Sequence, residues 1–272
     1  MRALRKTAPR AGAELQDVPV PAPGEGEVLV RVHAASICGT DLHIFDWNEW
    51  AQGRVTRVPM TFGHEVAGTV EAVGPEVHHV QRGAFVAVET HIACGVCSTC
   101  RTGRAHICRN LQILGVDTDG AFAEYVVVPA ENAWIVGEGI HPDHASVMEP
   151  FGNAVHATFG TEGGEDLLTN PVAVIGCGPI GLFAVGIARA LGAWKVIAIE
   201  PNDERRSLAA KMGADLLVDP SADDPVEAVM DATEGNGAEV VLGGSRFGEG
   251  GLKRLDGLGE RRDVRTDGRQ HI

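Results

Sequence analysis

The sequence predicts an α/β plus β protein, in which an antiparallel, barrel-like domain precedes a doubly wound parallel sheet. Short β-type runs punctuated by Gly and Pro fill the first half, and apolar strands alternate with helices from Pro171 onward. A third observation places a phosphate loop: Gly176-Cys177-Gly178-Pro179-Ile180-Gly181 lies between an apolar run and a helical one.

In the first half, residues 27–32, 65–73, 85–89 and 121–128 alternate as half-buried strands do. A helical pattern covers residues 145–159. Strand and helix then take turns: strand 172–176, helix 179–191, strand 195–200, helix 203–212, strand 215–219, helix 225–233 and strand 239–242. This divides the chain into a first domain over 1–154, a nucleotide-binding domain over 155–242 and a tail over 243–272.

Composition bounds the function. The 272 residues are 44% hydrophobic and 22% charged, enough for two cores. A formal net charge of −14 opposes wrapping a phosphate backbone, so a nucleic-acid role is not expected. The basic N-terminus is followed by no apolar h-region, and no run of 18 apolar residues occurs, which predicts a soluble cytoplasmic protein.

Of the six cysteines, Cys94, Cys97, Cys100 and Cys108 crowd into a Cys-x2-Cys-x2-Cys-x7-Cys lobe. Four soft thiolates at this spacing suit closed, tetrahedral zinc with a structural role. A nucleic-acid-gripping zinc module is the alternative. Arg101, Arg104 and Arg109 lie near, but the acidic surroundings oppose it. Elsewhere Cys38 precedes Thr40 and His43, and Gly63-His64-Glu65 follows. A thiolate, an imidazole and a carboxylate suit a zinc with one position open, where it acts as a Lewis acid on an alcohol. The Thr40 hydroxyl and the His43 imidazole supply a proton path to solvent.

Cys-Gly-Thr-Asp-x-His, Gly-His-Glu, the four-cysteine lobe and the later Gly-x-Gly-x-x-Gly, in that order, resemble the zinc-containing medium-chain dehydrogenases, with a GroES-like barrel and a Rossmann domain. Within that family, the stretches 43–50, 89–92 (Glu-Thr-His-Ile) and 149–156 (Glu-Pro-Phe-Gly-Asn-Ala-Val-His) are similar to threonine 3-dehydrogenases. The resemblance covers residues 1–242. It implies a catalytic zinc on Cys38, His64 and Glu65, a relay of Thr40 and His43, and a role for His91 in substrate choice. Glu149 is implied either as a zinc ligand, as in polyol dehydrogenases, or as a relay carboxylate beside it. A homotetramer is the family's usual assembly.

The glycines Gly176, Gly178 and Gly181, with Ile180 between, let a pyrophosphate approach a helix N-terminus. Glu200 ends the next strand, where a carboxylate binds ribose hydroxyls and favours NAD over NADP. Arg205 lies against the adenine or is an ordinary helix-surface charge. Cys177 is read as bystander packing.

Past Leu242 the alternation stops. Residues 243–272 hold eight Gly and six Arg, and Gly243-Gly244-Ser245-Arg246 replaces the family's usual continuation. A six-stranded sheet has only four strands by this point, so the expectation is a truncated Rossmann domain, a frameshift after codon 242 and a disordered tail. Strand 239–242 would then be an open edge, the tetramer would lose contacts, and turnover would be weak. The function expected is L-threonine oxidation by NAD with zinc. The alternatives are a polyol or secondary-alcohol dehydrogenase and an inactive zinc-binding remnant.

Overall fold

Alternating Val with polar or small residues commits the first part of the chain to antiparallel sheet, one face of each strand being apolar. The computed structural model describes residues 1–159, 167–243 and 263–266, the last four as backbone. They fall into two units, Met1–Glu149 and Pro150–Ile272. The first runs β1 (Arg2–Lys6), β2 (Glu14–Asp17), β3 (Glu27–Ser36), α1 (Gly39–Asp46), α2 (Glu49–Arg54), β4 (Met60–Thr61), β5 (Glu65–Val73) and β6 (Phe85–Val88). It continues through β7 (His91–Ile92), β8 (Gln112–Ile113), β9 (Tyr125–Pro129), β10 (Ala133–Ile135), α3 (Pro142–Ser146) and the start of α4 (Met148–Phe159).

Five of these strands form one antiparallel sheet in the order β10-β6-β5-β3-β9, and three form another in the order β2-β1-β4. Val28, Val30, Val66, Val70, Val86 and Val128 interdigitate in the core of the larger sheet. Strand β3 pairs with β5 along most of its length, Ser36 opposite Glu65, with register shifts after Leu29 and Val32. Gly68 makes this pairing possible. A Cβ there would lie 2.2 Å from the Arg31 carbonyl oxygen.

The strand expected over 121–128 starts later, at Tyr125. Ala121 and Phe122 instead give their N–H groups to the carbonyls of Gly63 and Phe62, at 2.8 and 2.9 Å. The helix expected over 145–159 is two helices that meet at Val147. Strands β4, β7 and β8, two residues each, are too short for alternation to reveal.

Lys6 ties β1 to α1. It is fully buried, yet its ammonium donates to the carbonyls of Arg10 (2.5 Å), Gly12 (3.0 Å) and Phe45 (2.9 Å). Phe45 belongs to the last turn of α1, whose carbonyls have no partner within the helix. Trp47 follows in the left-handed region (φ 54°), and the Lys6 ammonium sits 5.2 Å from its ring centre.

The second unit contains β11 (Pro171–Ile175), α5 (Pro179–Ala190), β12 (Lys195–Ile199), α6 (Asp203–Met212), β13 (Leu216–Val218), α7 (Pro225–Ala232), β14 (Val240–Gly243) and β15 (Asp263–Thr266). The strands are parallel in the order β13-β12-β11-β14-β15. Successive side chains of β11 face opposite ways. Val172 and Val174 pack with Ala184, Val185 and Ala209 of α5 and α6, while Ala173 and Ile175 pack with Val229 of α7. Helices on both faces make the sheet doubly wound.

Strand β14 is not an open edge, because Asp263–Thr266 pairs with it residue for residue from Val240↔Asp263 to Gly243↔Thr266. An edge of unpaired N–H and C=O groups accepts any extended segment that reaches it, and Val264 and Thr266 are strand-favouring residues. The disorder expected for the tail therefore fails for these four residues. The rest of that tail, residues 244–262 and 267–272, lies outside the described residues. Among the described residues no helix is long and apolar enough to cross a membrane.

Lys6→Met removes three buried hydrogen bonds while nearly keeping side-chain volume. We expect it to lower unfolding stability by about 3 kcal/mol, seen as a reduced denaturant midpoint. A midpoint unchanged from wild type would show that the three carbonyls find other partners.

Candidate functional site

The pairing of Ser36 with Glu65 sets the end of β3 beside the start of β5. Cys38 follows the first strand by two residues, and His64 precedes the second by one. Their side chains converge with that of Glu65, the three donor atoms all lying within 4.8 Å of one another. Gly63, at φ 94°, makes the turn into this pair.

His64 and Glu65 are buried, and each is held by a neighbour. Asp41 Oδ1 lies 3.3 Å from His64 Nδ1, an approach too poorly aligned for a full hydrogen bond, and neither atom has another partner. Its other oxygen accepts the Cys38 backbone N–H at 2.8 Å, closing the N-terminus of α1. Glu65 accepts a short hydrogen bond from the Ser36 hydroxyl.

Burial alone would lower the His64 pKa. The Asp41 and Cys38 side chains beside the ring overcome that and raise it to about 10. Burial, reinforced by the Glu149 charge, raises the Glu65 pKa, with Ser36 and His64 pulling the other way. A soft sulfur, an imidazole and two nearby carboxyl groups together favour a positive charge among them. A proton on the ring supplies it in the protein alone, and a divalent ion would displace that proton. The donor set fits zinc with an open position. Asp41 stands behind His64, where a second carboxylate would orient the ring toward a metal. Reading from ligand spacing missed it, although it stands inside the Cys-Gly-Thr-Asp motif.

Helix α1 carries the two relay candidates one turn apart. Thr40 Oγ1 is 3.8 Å from Cys38 Sγ. His43 Nδ1 lies 2.7 Å from Asn48 Nδ2, and its ring packs against Trp50. Glu149, buried at the start of α4, is close enough to Glu65 to raise its pKa but is outside the 4.8 Å donor group. His91 stands on β7, paired opposite Ile113 of β8. Its Nδ1 and its backbone N–H both bond Glu89 Oε1, at 2.6 and 2.8 Å. Burial raises the Glu89 pKa, but these bonds prevail and the net shift is downward. Asn132 Nδ2 donates to the carbonyls of Glu89 and His91, pinning the backbone on either side. Glu89 and Asn132 carried no spacing signal.

The four-cysteine lobe is as tight as the spacing suggests. Sulfur separations are 3.4 Å for Cys97–Cys100, 3.8 Å for Cys97–Cys108 and 3.4 Å for Cys94–Cys108. Disulfide sulfurs sit at about 2.05 Å, whereas tetrahedral Zn–S bonds imply edges of roughly 3.8 Å. Backbone N–H groups of Cys94 and Asn110 point at Cys108 Sγ, at 3.4 and 3.3 Å. Thr99 and backbone donors lower the Cys97 pKa to about 5, while burial and the adjacent thiols push Cys100 up to about 12. Four thiolates at this distance are not stable together without a cation. The lobe fits zinc.

In the second unit, Gly176 adopts φ 82° and Gly178 caps α5. A Cβ on Gly181 would meet the Gly176 carbonyl oxygen at 1.9 Å, and one on Gly178 would meet nothing within 4 Å. The first glycine pair turns and packs the loop, and Gly178 leaves open space before a helix N-terminus. Ile180, half-buried, follows Pro179 in the first turn. Glu200 is buried and accepts the backbone N–H groups of Cys177 (2.7 Å) and Asn202 (3.0 Å). Arg205, largely exposed, approaches Glu200 Oε1 at 3.9 Å. Cys177 is fully buried, and burial followed by the Glu200 charge raises its pKa to about 11, so it is no nucleophile.

Comparison with known proteins shows the family. Residues 24–138 match the alcohol dehydrogenase GroES-like domain, and residues 179–245 match the zinc-binding dehydrogenase family. The chain is 52% identical over 243 residues to the L-threonine 3-dehydrogenase of Pyrococcus abyssi, covering 89% of this chain and 68% of that one. It is 49% identical over 243 residues to the L-threonine 3-dehydrogenase of Bacillus subtilis, with the same coverage. Among solved structures, the alcohol dehydrogenase TADH from Thermus sp. ATN1 superposes with a TM-score of 0.86 at 31% identity, over 98% of this chain and 77% of that one. A zinc-binding dehydrogenase from Sinorhizobium meliloti 1021, bound to NADP, gives 0.84 at 34% identity, over 95% and 73%.

The two donor groups lead us to expect two zinc ions per purified chain. Cys38→Ser should remove the ion at the open site, and Cys100→Ser the ion of the lobe, each halving zinc measured by elemental analysis after gel filtration. Full zinc content in Cys38→Ser would remove Cys38 from the donor set.

Proposed function

The chain belongs to the zinc-binding alcohol dehydrogenases, and on that premise we propose that it oxidises the 3-hydroxyl of L-threonine with NAD, giving 2-amino-3-oxobutanoate and NADH. The observation that carries the chemistry is the convergence of Cys38, His64 and Glu65 within 4.8 Å beside the Thr40 hydroxyl. The substrate comes from the threonine dehydrogenases that share about half of its residues.

Cys38, His64 and Glu65 would hold a zinc that supplies Lewis acidity to the substrate hydroxyl, and NAD would accept the hydride. The chain's own residues manage the proton. Thr40, next to the Cys38 sulfur, takes it from the substrate oxygen, and His43, one turn along α1, passes it toward solvent. Asp41 keeps His64 turned to its ligand position through Nδ1. Gly176, Gly178 and Gly181 would bind the cofactor pyrophosphate with Ile180 beside them, Glu200 would take the ribose hydroxyls, and Arg205 would lie against the adenine. His91, oriented by Glu89, contributes to substrate choice. Its negative partner suits a substrate that bears an ammonium group.

Glu149 acts as a relay carboxylate near Glu65 rather than as a ligand, a reading favoured by its place outside the donor group. The substrate is a small molecule, we place the protein in the cytoplasm, and the family's tetramer would lose contacts where the sheet is cut short. A polyol or secondary-alcohol dehydrogenase is the second reading, since it would use the same metal donors.

Threonine-dependent NADH formation, compared with sorbitol and 2,3-butanediol, separates the two readings. We expect threonine to give the higher kcat/KM, and faster polyol turnover would reassign the substrate. Thr40→Ala should lower kcat by about 100-fold or more with zinc content intact. Glu149→Gln should likewise keep full zinc content while losing activity, and loss of the open-site ion would make Glu149 a ligand.

A further inference from the structure

Asn48 is the N-cap of α2, and its side chain accepts the Ala51 backbone N–H at 3.2 Å. A backbone N–H only donates, so the capping atom must be the amide oxygen. That leaves Nδ2, which can only donate, facing His43 Nδ1 at 2.7 Å. We propose that Asn48 is a positioning residue that keeps His43 Nδ1 unprotonated and the ring proton on Nε2. The proposal builds on the reading of His43 as the relay histidine.

The pair is held in register by the backbone. Asn48 N–H reaches the His43 carbonyl at 3.4 Å, and Gln52 N–H reaches the Asn48 carbonyl at 2.9 Å. Trp50 lies against the imidazole with ring centroids 5.7 Å apart. Among the described residues no charged group forms an ion pair with His43. On its own helix, Asp41 is turned to Cys38 and His64, and Asp46 is an exposed carboxylate on the side of Lys6. On α2, Arg54 is paired with Asp117, and Glu49 is exposed. The Asn48 amide is thus the polar group that decides which nitrogen carries the proton.

This has a consequence for proton traffic. A ring with its proton on Nε2 can release it there, but it takes up a second proton only at Nδ1, which Asn48 covers. Uptake requires the amide to swing away, so Asn48 gates the relay as well as orienting it.

Asn48→Asp tests this, because aspartate caps a helix as well as asparagine does. One oxygen still accepts from Ala51, while the other now accepts from His43 instead of donating to it. Long-range 15N–1H spectra of the full-length, zinc-loaded chain report the tautomer, and the His43 signal among 11 histidines is the one lost in His43→Gln. The wild type is expected to show the Nε2–H pattern. Asn48→Asp should show a proton on Nδ1, with an unchanged melting temperature and the acidic limb of threonine oxidation moved up by about one pH unit. Should that variant not fold, Asn48→Ser, which also caps, should give a mixture of both tautomers. A wild-type Nδ1–H pattern, or variants that keep the pure Nε2–H pattern, would overturn the proposal. Switched spectra in a chain that oxidises no alcohol would uphold the tautomer assignment and overturn the dehydrogenase reading instead.

Discussion

The pairing of β3 with β5 is the constraint on which the first unit depends. It is built from valines that bury one face of each strand, and from Gly68, whose missing side chain lets the Arg31 carbonyl approach. Because Ser36 lies opposite Glu65, Cys38 and His64 leave their strands at one place, though 26 positions separate them in sequence. A slip of one residue would turn Glu65 to the other face of the sheet. The convergence of Cys38, His64 and Glu65 is therefore a consequence of sheet register, and the helix that follows β3 inherits its position from the same pairing.

Around those donors the protein places groups that control charge. Asp41 serves two purposes with two oxygens, capping α1 and facing His64, so the helix start and that imidazole are aligned by one carboxylate. Lys6 holds the other end of α1 through the Phe45 carbonyl. A short helix of eight residues has little stability of its own, and these anchors at its two ends supply what the helix lacks. Thr40 and His43 gain a fixed spacing from it.

How much of this was legible in the sequence depends on the kind of signal. The four-cysteine lobe, the Cys38 and His64-Glu65 motifs and the glycine loop are local, and their residue types leave few alternatives. The second unit's strands were readable because buried parallel strands are continuous apolar runs, such as 172–175 and 196–199. The short strands β7 and β8 and the break at Val147 were not, since two residues carry no period and the break has no proline or glycine to mark it. The pairing of Asp263–Thr266 with β14 was missed for a different reason: a Gly/Arg-rich surrounding hid a four-residue strand whose partner is 23 positions earlier.

By itself the sequence determined the chemistry on offer: thiolates, imidazoles and carboxylates in patterns that hold metal, and glycines that admit a pyrophosphate. Those are properties of residue type and near spacing, which survive in a linear string. Tertiary structure alone decided which polar atom faces which. It set Asp41 behind His64, Glu89 beneath His91, Ser36 on Glu65, and the Asn48 amide on His43. The reason is physical. Hydrogen-bond direction, tautomer and charge balance depend on distances of a few ångströms between side chains, and only the packed backbone sets those distances.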